Sequence, residues 1–407
     1  MNSVANVNIN ANKNTVLVLT IVLLLFMQQS IVCGQFNEGQ PVTDNFYTEI
    51  PFEYLHDKIV IEANMNGIKG RYLLDTGAMC VLFKDSTNQQ YDNSSKIRIG
   101  DATGKKQMAE VVRMPLIEVG DLQYEDIPVM YVDMFAGPFK CLGYKGIIGS
   151  NLLRFGAFKI DWHQKKLVIT DSFQTLGKQS KQGAKMHVNK QQSSPFIKCK
   201  INSKNIGWVL LDTGSGDIFS LYNPTASWLT KKKAIGQPDY VSSGTNSHGA
   251  WGAGDYETSI YCNSTLQIGI TQFQSVSLET SDGKSKIGMK MLEQGNFILD
   301  YPQKRFFIEV DENSNDLAIE SFGIDLIMKD DLFIVNGIWK GTAAEESGIE
   351  KGDIVEDIEG VNLKDKSSCE VFLTIKALTK AKDELTFYLL KPDGSESRKV
   401  TLPRLKI

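Results

Sequence analysis

The ten residues RYLLDTGAMC, Arg71 to Cys80, return in altered form as WVLLDTGSGD, Trp208 to Asp217. The two share LLDTG and place Asp75 and Asp212 137 positions apart. A second pair of blocks follows them. YKGIIGSNLLRFGAFKIDWHQKKLVI is echoed by KSKIGMKMLEQGNFILDYPQKRFFI, with Gly149 matching Gly288, Leu153 Leu292, Phe158 Phe297, Asp161 Asp300 and Lys166 Arg305. Each of those pairs is offset by 139, and a constant offset over many positions marks an internal repeat. Two unrelated acidic turns would not share the block downstream of them.

Each copy reads as mainly β. KIVIEANMNG and IKGRYLLD have strand–turn–strand texture around Asn66-Gly67. KIRIGDATGKKQMAEVV is a hairpin turning at Gly100 to Gly104. LQYEDIPVMYV and FKIDWHQKKLVIT read as strands, the second with a polar turn. SNLLRF and MKMLEQ are the short helical elements. The polar stretch Gln174 to Pro195 reads as linker and entry strand, and a second polar stretch runs from Asp311 to Glu320.

An apolar strand ending in Asp-Thr-Gly places a carboxylate on a tight turn. Glycine there lets other backbone approach closely, and the threonine hydroxyl can lock the turn by bonding to backbone. Two such turns face to face bring two carboxylates together. Like charges that close cannot both ionise, so the pair shares a proton. The ionised member can activate a water and the protonated one polarise a carbonyl, which is general acid–base hydrolysis.

On these residues the chain resembles the aspartic protease family of pepsin and the retroviral proteases. The resemblance spans about residues 52 to 310 and implies two β-barrel lobes. It also implies Asp75 and Asp212 as the catalytic pair, supported by Thr76, Gly77, Thr213, Gly214 and Ser215. The threonines would hold the two loops together across a pseudo-dyad. In the family an apolar-apolar-Gly segment braces each aspartate loop. Ile147-Ile148-Gly149 and Lys286-Ile287-Gly288 stand there, the second departing from the pattern at Lys286. Ser215 is placed to donate to Asp212, whereas Ala78 offers Asp75 no side-chain donor. Asp212 is therefore expected to be the ionised member and Asp75 the protonated one. The family's flap would fall at Gly100 to Gly104 and at Gly244 to Gly254, where Trp251 could cover a substrate.

Beyond Ser321-Phe322-Gly323-Ile324 a new apolar pattern opens, and Gly341 to Gly360, GTAAEESGIEKGDIVEDIEG, resembles a PDZ domain. That resemblance makes Phe322, Gly323 and Ile324 the loop that receives a peptide's C-terminal carboxylate, the peptide adding as a strand at the sheet edge. The expected divisions are a signal peptide at 1–34, a first protease lobe at 35–172 and a linker with its entry strand at 173–195. A second lobe follows at 196–312 and a PDZ domain at 321–404.

The signal peptide is read from TVLVLTIVLLLFM, Thr15 to Met27, after Lys13 and before Gly34. It implies an exported protein, periplasmic or extracellular, attached to a membrane only if the segment stays uncleaved. Cys80, Cys141, Cys199, Cys262 and Cys369 then remain. Pairings Cys80–Cys141 and Cys199–Cys262 are open, and at least one thiol is left over. Cys80 is expected to be a buried apolar thiol, since it has no local histidine partner. With 42% hydrophobic and 23% charged residues in 407, the composition is that of a globular chain. Lys+Arg 44 against Asp+Glu 48 leaves a net charge of −4, without the basic excess of a nucleic-acid binder. The four histidines are scattered and no HExxH or CxxC spacing exists, so no metal and no cofactor is expected. The function implied is an aspartic endopeptidase acting on polypeptides at acidic to mildly acidic pH. The alternatives are a non-catalytic binder of extended peptides using the same cleft and the PDZ domain, and a narrow processing enzyme whose PDZ domain recruits one partner.

Overall fold

Asn66 and Gly67 take positive φ, 50° and 89°, and close the expected hairpin between strands Lys58–Met65 and Ile68–Asp75. Val60 lies opposite Leu73 and Met65 opposite Ile68. The second copy repeats the device with Pro195–Ile201 and Lys204–Leu211, turning at Asn202 and Ser203. The structure, a computed structural model, describes residues 36–407 apart from 88, 92–93, 102–103, 134–140, 178–182, 245–247, 250–251, 255, 311–316, 330–331 and 365. The leader at 1–34, Ala102 and Thr103 of the first flap turn, and Trp251 of the second lie outside the described residues.

The first aspartate strand is buried on both faces, with Leu73 2% exposed and Leu74 fully buried, whereas the second buries one face through Val209 and Leu211 and leaves Leu210 half-buried. Both are flanked in parallel by the expected braces. Gly146–Gly149 sets Ile148 beside Leu74 and Gly149 beside Asp75, and Lys286–Ile287 sets Ile287 beside Leu211. The hairpin expected at Gly100 to Gly104 joins Ser95–Gly100 to Lys106–Val119, with Gly100 opposite Lys106.

The downstream blocks pair with each other. Ala157–Asp161 runs antiparallel to Gly295–Asp300, with Phe158 opposite Leu299 and Ile160 opposite Phe297. Those two pairs exchange under the 139-residue offset, so a pseudo-two-fold axis passes through this ladder. One continuous apolar core, from Phe46 to Leu317, fills both copies.

Residues beyond Glu320 build a core of their own around Phe322, Val335, Phe372 and Leu389. Its sheet runs in the order Ile324–Lys329, Leu332–Ile338, Ile354–Ile358, Glu384–Leu390, Ser397–Pro403, which leaves Ile324–Lys329 at an edge. Helix Ser368–Ala381 covers it, burying Val371, Phe372 and Ile375. The helix starts at a capping box, in which Ser367 and Glu370 satisfy each other's backbone N–H.

Neither cysteine pairing left open by the sequence forms. The structure joins Cys141 to Cys369 across 228 residues and leaves Cys80 and Cys199 as buried thiols. Cys80 is the apolar thiol expected. Burial pushes it up to about 12, and its sulfur accepts the Gly149 N–H at 3.3 Å.

Asp325, 3% exposed, ties the C-terminal sheet to the second copy. It accepts hydrogen bonds from Ser242 Oγ at 2.7 Å and Trp339 Nε1 at 3.1 Å. Burial pushes its carboxyl up to about 6 against the pull of those two donors. A carboxyl raised on folding stabilises the fold while protonated, and that contribution is lost as pH rises through about 6. Asp325→Asn keeps partners for both neighbours and removes the charge. It is expected to raise the melting temperature at pH 7.5 and leave it unchanged at pH 4, as differential scanning calorimetry would show.

Candidate active site

Thr76 and Thr213, both fully buried, interlock the two turns. Thr76 Oγ1 donates to the Leu211 carbonyl at 2.6 Å and accepts the Thr213 N–H at 3.1 Å. Thr213 Oγ1 donates to the Leu74 carbonyl at 2.8 Å and accepts the Thr76 N–H at 3.0 Å. Each hydroxyl therefore satisfies a donor and an acceptor of the other copy at a fully buried position. Thr76→Val keeps the shape but strands the Leu211 carbonyl and the Thr213 N–H, which should cost about 2–4 kcal/mol. Urea unfolding would measure it, and a loss below about 1 kcal/mol would contradict the interlock.

The glycines are required by space. A Cβ on Gly77 would sit 2.6 Å from Asp212 Oδ1, and one on Gly214 would strike the Asp75 carboxylate. Each carboxylate thus lies against the glycine of the opposite turn, which places Asp75 and Asp212 side by side. Asp75 Oδ1 accepts the N–H groups of Gly77 at 2.7 Å and Ala78 at 3.1 Å, and Asp212 Oδ1 accepts that of Gly214 at 3.0 Å. Burial first, and then the charge of Asp212, push Asp75 up to about 7, against the Gly77 N–H and Lys58.

The side-chain hydrogen bond expected at Asp212 is not the one found. Ser215 donates to Asp217 Oδ2 at 2.7 Å, not to Asp212, and Ala78 does serve Asp75 through its backbone. The hydroxyl has an acceptor two residues ahead as well as one three residues behind, and the turn aims it forward.

The braces reach the turns through matching bonds. Ser150 N–H donates to the Ala78 carbonyl at 2.9 Å and Met289 N–H to the Ser215 carbonyl at 2.8 Å. Any side chain at Gly149 or Gly288 would run into turn backbone, at Cys80 N (2.6 Å) or Asp217 N (2.8 Å). Lys286, the departure from the brace pattern, has a partner that explains it: its Nζ lies 3.4 Å from Asp217 Oδ2, which also accepts from Ser220 Oγ at 2.6 Å. Burial opposes charge on both. Even so, Lys286, the two serines and Lys58 hold Asp217 well below the usual carboxylate range, and Asp217 and Asp212 hold Lys286 above that of an ordinary lysine. Of this cluster Asp217 stands in the quoted repeat and Lys286 in the brace. Nothing in the sequence pointed to Lys58.

Residues 61–152 match the family described as "Aspartyl protease". The match takes in Asp75 and its brace and ends before Asp212, which is joined to it by the repeat and the interlock. No curated protein matches the chain. Among solved structures, the aspartic proteinase from Irpex lacteus is 12% identical over 67% of this chain and 99% of its own (TM-score 0.38). Basic 7S globulin from soybean is 10% identical over 67% and 96% (TM-score 0.38). A retropepsin-like aspartic protease from Rickettsia conorii is 19% identical over 32% and 94% (TM-score 0.22).

The three residues expected to receive a peptide terminus lie in the C-terminal core. Phe322 and Ile324 are 9% and 8% exposed, and Gly323 takes φ 81° with its N–H donating to Ser321 Oγ at 3.0 Å.

Proposed function

We propose that this chain is an aspartic endopeptidase hydrolysing peptide bonds in polypeptides held extended between its two lobes. One observation carries the reading: each carboxylate of the Asp75–Asp212 pair lies against the glycine of the opposite Asp-Thr-Gly turn. The pair holds one proton, on Asp75. Asp212 takes a proton from a water whose oxygen bonds to the carbonyl carbon, while Asp75 gives its proton to the carbonyl oxygen. The tetrahedral diol then collapses. Its C–N bond breaks, the amine leaves with a proton from Asp212, and a hydroxyl proton returns to Asp75. The hairpin between Ser95–Gly100 and Lys106–Val119 would fold over the substrate, whereas Gly244, at the start of the second expected flap turn, packs against the Asn336 backbone of the C-terminal sheet.

The Cys141–Cys369 bond and the leader at 1–34 support export, since disulfides persist in oxidising compartments. The C-terminal module is read as a PDZ domain docking a substrate or partner. Its edge strand Ile324–Lys329 and the covering helix Ser368–Ala381 support this.

The test uses protein lacking residues 1–34 and an unfolded substrate protein, with cleavage followed from about pH 3 to 7. A bell-shaped profile blocked by a statine-type transition-state mimic is expected. Folded protein that cleaves at no pH would overturn the proposal. Peptides with free and amidated C-termini, compared by fluorescence anisotropy, test the docking module.

A further inference from the structure

Leu55 pairs with Lys58 across a two-residue turn, and both turn residues, His56 and Asp57, take positive φ (51° and 61°). A turn this tight fixes where Lys58 leaves the backbone. The strand it begins pairs directly with the Asp75 strand, Val60 against Leu73. Behind the turn His56 lies 6.0 Å from the Phe372 ring of the C-terminal helix. In front of it is the second aspartate's loop, where a Cβ on Gly216 would come within 2.9 Å of Asp57 Cβ and 3.5 Å of Lys58 Nζ. The ammonium therefore stands over the loop that carries Asp212.

The charged groups facing it are Asp217, Asp212, Lys286 and Asp57, and it acts on Asp75 as well. Lys286 and Asp217 neutralise one another as an ion pair, and Glu279 bears on Asp217 from the neighbouring strand. Burial pushes Glu279 up to about 8, so at acidic pH it brings no charge. A carboxyl pair sharing one proton carries a single negative charge. Once Asp217 and Lys286 are paired, Lys58 is, among the described residues, the cation left to balance it. Burial lowers Lys58, and Asp217 and Asp212 pull the other way.

We propose that Lys58 is a positioning residue, the counter-ion of the singly protonated Asp75–Asp212 pair. The proposal rests on that pair being the catalytic one. A cation beside carboxylates favours their ionised form, so its removal makes every ionisation of the pair harder. Lys58→Met is expected to move both limbs of the pH–rate profile upward by about one pH unit and to cut activity near pH 4 several-fold. Lys58→Arg, which keeps the charge, should hold the limbs within a few tenths of a unit.

The same variants are titrated by NMR with carboxyl-13C aspartate, Asp75 being assigned from Asp75→Asn. The Asp75 midpoint is expected to rise in Lys58→Met and stay in Lys58→Arg. A Lys58→Met protein with native melting and unmoved midpoint and limbs would overturn the proposal. Should Lys58→Met fail to fold, Lys58→Gln carries the same test. If the wild type cleaves nothing, the peptidase reading falls, and the NMR titration still decides whether Lys58 serves the pair.

Discussion

Asp212→Asn and Asp75→Asn are each expected to lower kcat on an unfolded protein substrate by about 10⁴-fold, with KM changed little. An amide at Asp212 keeps an acceptor for the Gly214 N–H, and one at Asp75 keeps an acceptor for Gly77 and Ala78. The turns therefore hold their shape. What is lost is chemical: an amide can neither take a proton from water nor give one to a carbonyl. Both groups serve one proton-transfer cycle, so removing the second after the first should cost little more, and the double variant should match the singles. Either substitution also removes the mutual repulsion of two buried carboxylates, so the melting temperature at pH 7 should stay or rise. Single-turnover kinetics would check this, and residual activity within tenfold of the wild type would sink the paired-carboxylate mechanism.

What was legible in the sequence was local or repeated. LLDTG encodes its own turn, because the aspartate accepts the N–H groups that follow it and the glycine meets a neighbouring carboxylate. The 139-residue offset made the braces readable and carried the pseudo-symmetry of the ladder that pairs Phe158 with Leu299. The illegible parts depend on contacts that spacing does not encode. Lys58 lies 154 positions from Asp212, and only the folded turn at His56-Asp57 delivers it. Lys286 looked like a defect in an apolar brace until Asp217 supplied its charge partner. Ser215 was within reach of two carboxylates, and the direction of one hydroxyl decided which it served. Cys141 belongs to the first copy and Cys369 to the C-terminal module outside the repeat, so neither repeat nor local spacing links them.

That bond carries the second large effect. Cys369 is the second residue of helix Ser368–Ala381, and Cys141 and Leu142 pack against the apolar core that this helix covers. Crosslinking residues 228 apart removes freedom chiefly from the unfolded chain, which the chain-entropy account values at up to about 5 kcal/mol for a loop of this size. Native contacts around it are made without the bond: Asp325 still holds Ser242 and Trp339, and Arg71 still donates to the Leu142 carbonyl at 3.0 Å. Reduction should therefore leave the native fold intact and lower its stability by about 3–5 kcal/mol. Guanidinium unfolding followed by tryptophan fluorescence, with and without dithiothreitol, would read this as a shifted midpoint. The Cys141→Ser/Cys369→Ser double variant should start at the reduced midpoint and ignore the reductant. Among the described residues Cys80, Cys199 and Cys262 are unpaired, so they offer dithiothreitol no bond to reduce. A midpoint that still moved in the double variant would mean that the wild-type shift does not come from this bond. A wild-type midpoint that did not move at all would mean that this bond adds nothing by restricting the unfolded chain, against the chain-entropy account.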